Sequence, residues 1–507
     1  MQNNSTNKKR IAKNTFFLYF RTLFVILITL YTSRVILQTL GVEDFGIYNV
    51  VGGITIVFGF IRGTLADSSQ RYITFEIGKG QNGDVSRIFS NCVMLHIGLA
   101  IILAIFIELI GVWFIENKLM ISEERLDAAL WVFHFMIVQM IVMVVSVPYS
   151  ALIIAYERMR AFAFISIIEA LIKLGISFAI LLDTGIDKLI TYGFLLFLMQ
   201  IVIRFIYIFY CKKKIKGINF YFVLDKKVIQ EIGRFSSWAF IGNMSYVGFT
   251  QGLNILIGTF FLPTVNAARG IAVQVQTAVH TFVKNFQTAL NPQITKNYAS
   301  GNLGEMLNLV FLSSRFSFFL IMIPIIPILF EVNSILHIWL KIVPEYTESF
   351  LKIILLISWI NCLGNPLAIS SKATGNIKKY ECYSASIKLL IVPISYFVLR
   401  LGYSPVSVFF VHLVMEILAL SSNIIITKKL LGFSLWDYYH NVISRIVPVA
   451  LSSFILPLFI VGLVPPSILR TCVLVVVSLI WSCLCIYYFG LAKEEKHLVK
   501  CRISKFC

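Results

Sequence analysis

Apolar runs of roughly 20 residues recur from Phe16 almost to the C-terminus, and they restrict the possible folds more than any other feature of the sequence. An α-helix of about 20 residues crosses a bilayer core of about 30 Å. The 507-residue chain is 58% hydrophobic and 14% charged, whereas soluble domains average about 45–50% apolar and about 25% charged residues. The connections between the runs are too short for a soluble domain. The sequence therefore predicts an all-α integral membrane protein.

About fourteen transmembrane helices are predicted, and they define the domain organisation. The predicted spans are 16–38, 45–65, 88–115, 128–154, 162–182, 189–210, 235–260, 264–290, 306–330, 348–371, 379–399, 405–427, 443–463 and 468–490. They divide the chain into an N-terminal six-helix lobe (1–210), a basic connection (211–231), a C-terminal six-helix lobe (232–430), helices thirteen and fourteen (431–490) and a basic tail (491–507). The span 264–290 is too polar to face lipid, so it must line water or protein.

The net charge of +19 comes from basic residues at the ends of the apolar runs rather than on one amphipathic face. This placement indicates topological anchors and no nucleic-acid partner. With both termini in the cytoplasm, most Lys and Arg residues fall on cytoplasmic connections, as the positive-inside rule requires. The densest basic cluster follows predicted helix six and indicates a boundary between the lobes and contact with anionic headgroups; it comprises Lys212, Lys213, Lys214, Lys216, Lys226 and Lys227.

Two further sequence features exclude alternatives. The nine cysteines are scattered and lack the paired spacing of a zinc site, so neither a disulfide framework nor a metal or other cofactor is predicted. The basic stretch before Phe16 resembles the start of a signal peptide. However, the apolar run that follows contains Arg21 and Arg34 and has no small-residue cleavage site, which favours a retained first helix.

An internal repeat is predicted because the sequence matches itself at offsets near 220 residues. One offset pairs Ile73 and Thr74 with Ile294 and Thr295, and Gly80 with Gly301; another pairs Pro148 with Pro366, Ala155 with Ala373, Arg160 with Lys378, and Ser177 with Ser395. Because each repeat has six helices, both enter the membrane in the same direction. The predicted pseudo-two-fold axis therefore runs along the membrane normal, with a cavity on it.

Charged residues inside the predicted spans are mostly cationic, although each costs about 2.5–3.5 kcal/mol at a helix centre. We select as substrate-binding candidates Arg34, Arg62, Asn254, Arg269, Gln274, His280 and Lys284. On predicted helix eight, Gln274, Thr277, Thr281, Lys284 and Thr288 recur at helical spacing and define one polar face. A net cationic cavity suits a phosphate or pyrophosphate group, to which arginine offers bidentate donors.

Other intramembrane charges have simpler explanations. Near helix ends, side chains can extend to the headgroups, and this interpretation is adopted for Arg21, Arg204, Arg315 and Lys352. The spacings of Glu169 with Lys173 and of His412 with Glu416 favour structural pairs, with proton coupling as the alternative.

The stretch 32–48, TSRVILQTLGVEDFGIY, places an arginine before an LGxxxFGxY motif. It resembles the start of polysaccharide (O-antigen, Wzx-type) flippases of the multidrug/oligosaccharidyl-lipid/polysaccharide (MOP) superfamily, as does the polar helix eight that ends in Asn291 and Pro292. The resemblance implies two lobes whose cavity is lined by predicted helices one, two, seven and eight. It also implies that Arg34, Arg62, Arg269 and Lys284 contact the pyrophosphate or sugar. Only Arg34 lies inside the quoted stretch 32–48.

The expected function is therefore alternating-access flipping of a polyprenyl-pyrophosphate-linked oligosaccharide, an O-antigen or capsule repeat unit, across the bacterial cytoplasmic (inner) membrane. Expected partners are this lipid-linked oligosaccharide, membrane lipids, a polysaccharide polymerase and glycosyltransferases. One alternative is a drug or cation antiporter; the acidic residue that such exporters often carry in helix one is missing between Phe16 and Gln38. The other is a membrane polymerase or glycosyltransferase, but the longest outer connection, 331–347, is short and has no convergent carboxylates. No enzyme activity is expected.

Overall fold

A computed structural model describes residues 2–492 except 57–58, 119–121, 183–184, 186, 216, 262 and 341–342, together with 495–496. Within the helices, some further side chains lie outside this description, among them that of Arg34. Helices account for nearly all of the described chain, and these residues contain no β-strand. The expected all-helical membrane fold is therefore confirmed.

The chain forms two compact units, and the N-terminal unit comprises residues 1–240 and 298–301. Its helices are α1 (Gln2–Ile56), α2 (Gly59–Gly78), α3 (Val85–Lys118), α4 (Glu123–Ala155), α5 (Met159–Ala179), α6 (Lys188–Lys214) and the first turns of α7 (Lys226–Phe260). Helix α4 packs against α2, α3 and α6, while α1 packs against α5. Buried Val132, Phe133 and Ile137 of α4 contribute to one continuous apolar core.

The C-terminal unit comprises residues 241–297 and 302–507. After the rest of α7 it contains α8 (Pro263–Ala299), α9 (Leu303–Phe330), α10 (Val332–Leu340), α11 (Thr347–Asn361), α12 (Gly364–Thr374), α13 (Lys378–Arg400), α14 (Val406–Leu431), α15 (Leu435–Tyr438), α16 (Ser444–Leu463) and α17 (Ile468–Cys485). Helix α7 contributes Phe249 and Leu253 to a core with Ile391 of α13 and Met415 of α14. Helices α16 and α17 pack against each other and against α9.

Ten helices, or pairs of consecutive helices, are long and apolar enough to cross a membrane within the described residues. They correspond to predicted spans three to six and nine to fourteen. The other four predicted spans fall on α1, α2, α7 and α8, whose described residues do not meet the criterion; within α1 the described residues include the apolar stretch Asn14–Thr29. Because unpaired polar groups are expensive in lipid, the polar sequences of α2, α7 and α8 need a polar environment along part of their length.

The LGxxxFG motif lies where α1 changes direction. Gly41 has φ 80° and ψ 175°, a backbone conformation available essentially only to glycine, and it interrupts the helix. Three residues later, Asp44 forms an ion pair with Arg125 in the first turn of α4, and Arg125 also reaches Asp187, 2.5 Å away, at the start of α6. Partial burial raises the pKa of Asp187, but hydrogen bonds from the Ile190 N–H and from Arg125 lower it overall. The motif thus joins α1, α4 and α6 at one end of the unit.

Helix α17 and the residues that follow it are joined to α9 by two ion pairs. Glu331, at the end of α9, lies 2.7 Å from the guanidinium of Arg470 on α17, and both side chains are buried. Arg315 of α9 pairs with Glu495 beyond α17. Arg315 is 6% exposed, so its predicted extension to the headgroups is wrong: a carboxylate within the protein compensates its charge.

The internal repeat is supported by residues that the offsets pair. Gly80 and Gly301 both have positive φ, 62° and 79°, and each follows a long helix. Ile73 and Ile294 are each 0% exposed, as are Ala155 and Ala373, and Ser177 and Ser395. Equal burial and equal backbone conformation at paired positions are expected when the two units repeat one six-helix pattern.

Candidate functional site

Helix α8 has two different faces. Its buried face carries Ala272, Val279, Val283 and Ala289. Gln274, Thr277 and Lys284 are exposed, while His280, Thr281 and Thr288 are half-buried. Thr277, Thr281 and Thr288 donate hydrogen bonds to carbonyl oxygens one turn earlier, which satisfies their hydroxyl protons within the helix.

The polar residues of α8 that point inward are hydrogen-bonded to the C-terminal unit. Gln287 Nε2 donates to Ser317 Oγ at 3.0 Å and to the Cys362 carbonyl at 3.1 Å. Gln276 Nε2 donates to Ser358 Oγ at 2.8 Å. These bonds fix the rotation of α8, because both amides would otherwise be buried without partners. Lys284 and Gln274 are thereby held on the exposed side.

Arg269 and Asn254 form one cluster that links α8 to α7. Arg269 Nη1 donates to Asn254 Oδ1 at 3.0 Å, and Nη2 donates to the Thr250 carbonyl at 2.8 Å. The Asn254 carbonyl also accepts from Asn266 Nδ2 at 3.1 Å. Arg269 Nε is buried without a hydrogen-bond partner among the described residues. The hydrogen-bond acceptors of this guanidinium in the described part of the chain are therefore neutral oxygens.

Arg62 is the candidate of the N-terminal unit whose side chain the structure describes. It is exposed on α2, and its Nη1 donates to Met143 Sδ of α4 at 3.1 Å. A thioether is a weak acceptor, so this contact positions the guanidinium without neutralising it. The side chain of Arg34 lies outside the described part, so its predicted role stays a prediction. No carboxylate pairs with Arg62, Arg269 or Lys284 in the described part of the chain.

A buried carboxylate in the C-terminal unit is the second chemical feature. Glu416 of α14 is 5% exposed and accepts from Asn361 Nδ2 at 2.5 Å. His412 Nε2 lies 3.9 Å from its other oxygen, so the predicted reach between these two residues is present but long. His280 of α8 lies within electrostatic range of both Glu416 and Lys284. His280 is thus a candidate residue that lies near an acidic group.

The predicted pair of Glu169 and Lys173 belongs to a wider cluster in the N-terminal unit. Glu169 accepts from Gln200 Nε2 of α6 at 3.4 Å and acts electrostatically on Lys173 and on Arg21. Arg21 also lies over the Phe162 ring at 4.8 Å, and Arg204 lies over the Tyr149 ring at 4.2 Å. These cation–π contacts, rather than headgroups alone, compensate the two arginines. A cluster of three or more metal-ligating side chains is not found among the described residues.

The fold is similar to that of solved membrane transporters. A structure of MATE in the straight conformation aligns with a TM-score of 0.72 at 11% identity, over 84% of this chain and 96% of that chain. An outward-facing multidrug resistance MATE family transporter of the MOP superfamily gives the same values. A MOP superfamily transporter from Pyrococcus furiosus Vc1 (DSM3638) also has a TM-score of 0.72, at 10% identity over the same shares of both chains. The chain has the fold of these MATE structures.

At 10–11% sequence identity, the similarity to these solved structures shows the fold alone. Comparisons with protein-family models and with curated proteins give no match. The fold that the expected resemblance implies is thus present, and membership of the MOP superfamily and of the Wzx-type flippase family stays a prediction.

Two of the ion pairs that hold the helices together were not predicted from the sequence. The contact of Asp44 with Arg125 joins residues 81 positions apart, and that of Glu331 with Arg470 joins residues 139 positions apart. A carboxylate in such a position needs a positively charged partner, but the short-range spacing of residues does not identify which Lys or Arg that partner is.

Proposed function

We propose that this chain is a flippase for a polyprenyl-pyrophosphate-linked oligosaccharide and works by alternating access in a bacterial cytoplasmic membrane. The observation that carries the proposal is the exposed face of α8, where Lys284 and Gln274 stand on a helix that has no acidic residue between Pro263 and Ala299. Arg62 adds a second exposed cation on α2. Cations that carboxylates do not neutralise favour an anionic cargo.

The physical chemistry fits a pyrophosphate headgroup. Charge-assisted hydrogen bonds are roughly twice as strong as neutral ones, and arginine can bind two phosphate oxygens at once. Amide and hydroxyl groups such as those of Gln274 and Thr277 suit sugar hydroxyls. With the cell interior negative, outward movement of an anion gains about 2.3 kcal/mol per charge per 100 mV. The lipid tail stays in the bilayer, and neither a cofactor nor an enzymatic step is needed.

Support also comes from one solved transporter of the same fold. The Pyrococcus furiosus protein is described as having a binding pocket of reversed polarity that suggests a different function. In our proposal, too, the sign of the charge on the polar helices selects the cargo. A polysaccharide polymerase and glycosyltransferases are the protein partners that we propose for this activity.

The first test is export of surface polysaccharide by cells that depend on this chain. We expect Arg34→Ala, Arg62→Ala and Lys284→Ala each to lower export by about tenfold or more while the protein remains in the membrane at the normal level. Lys352→Ala is the matched control, because Lys352 pairs with Glu348 at 2.7 Å on α11 and lies outside the polar faces. Normal export by all three test variants would contradict the proposal.

A drug or cation antiporter is the second candidate, and the burial of Glu416 beside His412 favours it. A buried carboxylate near a histidine can bind a proton or a cation in one state and release it in the other. Glu416→Gln separates the two functions. An antiporter loses drug efflux in this variant, whereas a flippase driven by the membrane potential retains polysaccharide export.

A further inference from the structure

The connection between α6 and α7 exposes an unusual amount of apolar surface. Residues 220–224 are Phe, Tyr, Phe, Val and Leu, and none of them belongs to a helix. All five are exposed, with Phe222 at 79% and Leu224 at 62%. Contiguous apolar patches of this kind on a protein usually mark an interaction surface.

This segment is held in place rather than left loose. The Tyr221 N–H donates to Ser90 Oγ at 3.0 Å, and the Asp225 N–H donates to Asn91 Oδ1 at 2.8 Å. Both acceptors lie in the first two turns of α3. Because helix α3 rises about 1.5 Å per residue, the segment runs within about 10 Å of the helix start, beside the end of a membrane span.

Basic residues flank the apolar segment on both sides. The described lysines Lys212, Lys213 and Lys214 end α6, and Lys226 and Lys227 begin α7; all five are exposed. Asp225 is the acidic residue between them, and it forms an ion pair with Arg87 of α3. The hydrogen bond from Arg87 lowers the pKa of the Asp225 carboxyl, so the carboxylate stays ionised and paired. The field around the segment is therefore strongly positive.

We propose that segment 220–224 is a lipid-binding element that inserts its aromatic side chains at the membrane interface while the flanking lysines bind anionic phospholipid headgroups. Aromatic side chains concentrate at membrane–water interfaces, and basic residues next to a span are attracted to anionic lipids. Charge complementarity favours anionic phospholipid as the binding partner, because a membrane surface is anionic and the segment lies at the end of two spans. The element is separate from the polar faces of α2 and α8.

Site-specific photo-crosslinking tests this proposal in the full-length chain. A photoreactive phenylalanine analogue replaces Phe222 in vesicles made of equal parts neutral and anionic phospholipid. We expect phospholipid adducts in which the anionic lipid exceeds the neutral one roughly fivefold, the factor that attraction by one lysine provides. Replacing Lys212, Lys213, Lys214, Lys226 and Lys227 by glutamine should return the adducts to equal parts.

Two controls make the result specific. The analogue at Phe410, which is 55% exposed on α14, should give lipid adducts in equal parts because the lysines nearest to it along that helix, Lys428 and Lys429, lie about five turns away. Glutamine at Lys428 and Lys429 removes charge at another helix end and should leave the enrichment at Phe222 unchanged. Adducts to a protein, the absence of adducts, or enrichment that survives the five-lysine change would each overturn the proposal.

Discussion

At the residue scale, the cations of this molecule fall into two groups. Arg315 and Arg470 are buried and paired with carboxylates, so they hold helices together. Arg62 and Lys284 are exposed on polar helix faces, and within the described chain no carboxylate pairs with them. The first group contributes to stability, and the second group is the one available to a cargo.

Breaking the buried pair of Glu331 and Arg470 should therefore destabilise the protein. Glu331→Ala leaves a buried guanidinium without its partner, and such a loss costs about 3–5 kcal/mol. We expect a clear drop in the thermal unfolding temperature of the purified protein in detergent. Replacing both residues by methionine should restore much of the loss, because no uncompensated charge remains. Equal unfolding temperatures for Glu331→Ala and the unmodified chain would show that the pair adds nothing.

Replacing Arg62 should affect transport without affecting folding. A hydrogen bond to a charged group contributes about 1.5–3 kcal/mol, so Arg62→Ala should lower flipping at limiting cargo by about tenfold or more. Arg62→Lys keeps the charge but loses the planar, bidentate donor, and we expect an intermediate rate. The measurement is the initial flipping rate beside the thermal unfolding temperature of each variant. If Arg62→Lys is as inactive as Arg62→Ala, a positive charge at position 62 is not sufficient for transport.

At the element scale, the two-faced character of α8 makes a direct prediction about water. Single cysteines at positions 277, 281, 284 and 288 should react with a membrane-impermeant thiol reagent. Cysteines at Val279 and Val283 should not, because these side chains are 5% and 0% exposed. The expected result is labelling with helical periodicity along one face. Uniform protection of all six positions would mean that α8 is a packed helix with no aqueous face.

How far the sequence predicts the elements depends on the range of the interactions involved. The spans follow from local apolarity, and so does the unusual polarity of α8. The repeat could be seen in advance because a turn glycine such as Gly80 has its equivalent at Gly301. By contrast, the partner of Arg315 could not be predicted, because Glu495 lies 180 residues away. The hydrogen bond between Arg269 and Asn254 could not be predicted either, although each residue had been chosen separately as a substrate-binding candidate.

At the scale of the whole molecule, the fold alone is compatible with more than one cargo. MATE transporters share it at about 11% identity over most of their length. We therefore infer the cargo from the exposed cations of the polar helices α2 and α8, Arg62 and Lys284. Helices α16 and α17 are attached through α9 and lie outside the repeat, so we expect them to stabilise the C-terminal unit.

The central claim is that exposed cations on α2 and α8 select an anionic, lipid-linked sugar. The most direct test is flipping of a polyprenyl-pyrophosphate-linked oligosaccharide by the purified protein in liposomes, measured by access of an impermeant sugar-cleaving enzyme to the cargo. We predict protein-dependent flipping that an inside-negative potential accelerates in the outward direction and that combined Arg62→Ala and Lys284→Ala abolishes. The account is contradicted if the double variant flips the cargo at the unmodified rate, or if the unmodified protein exports cationic drugs and leaves this cargo in place.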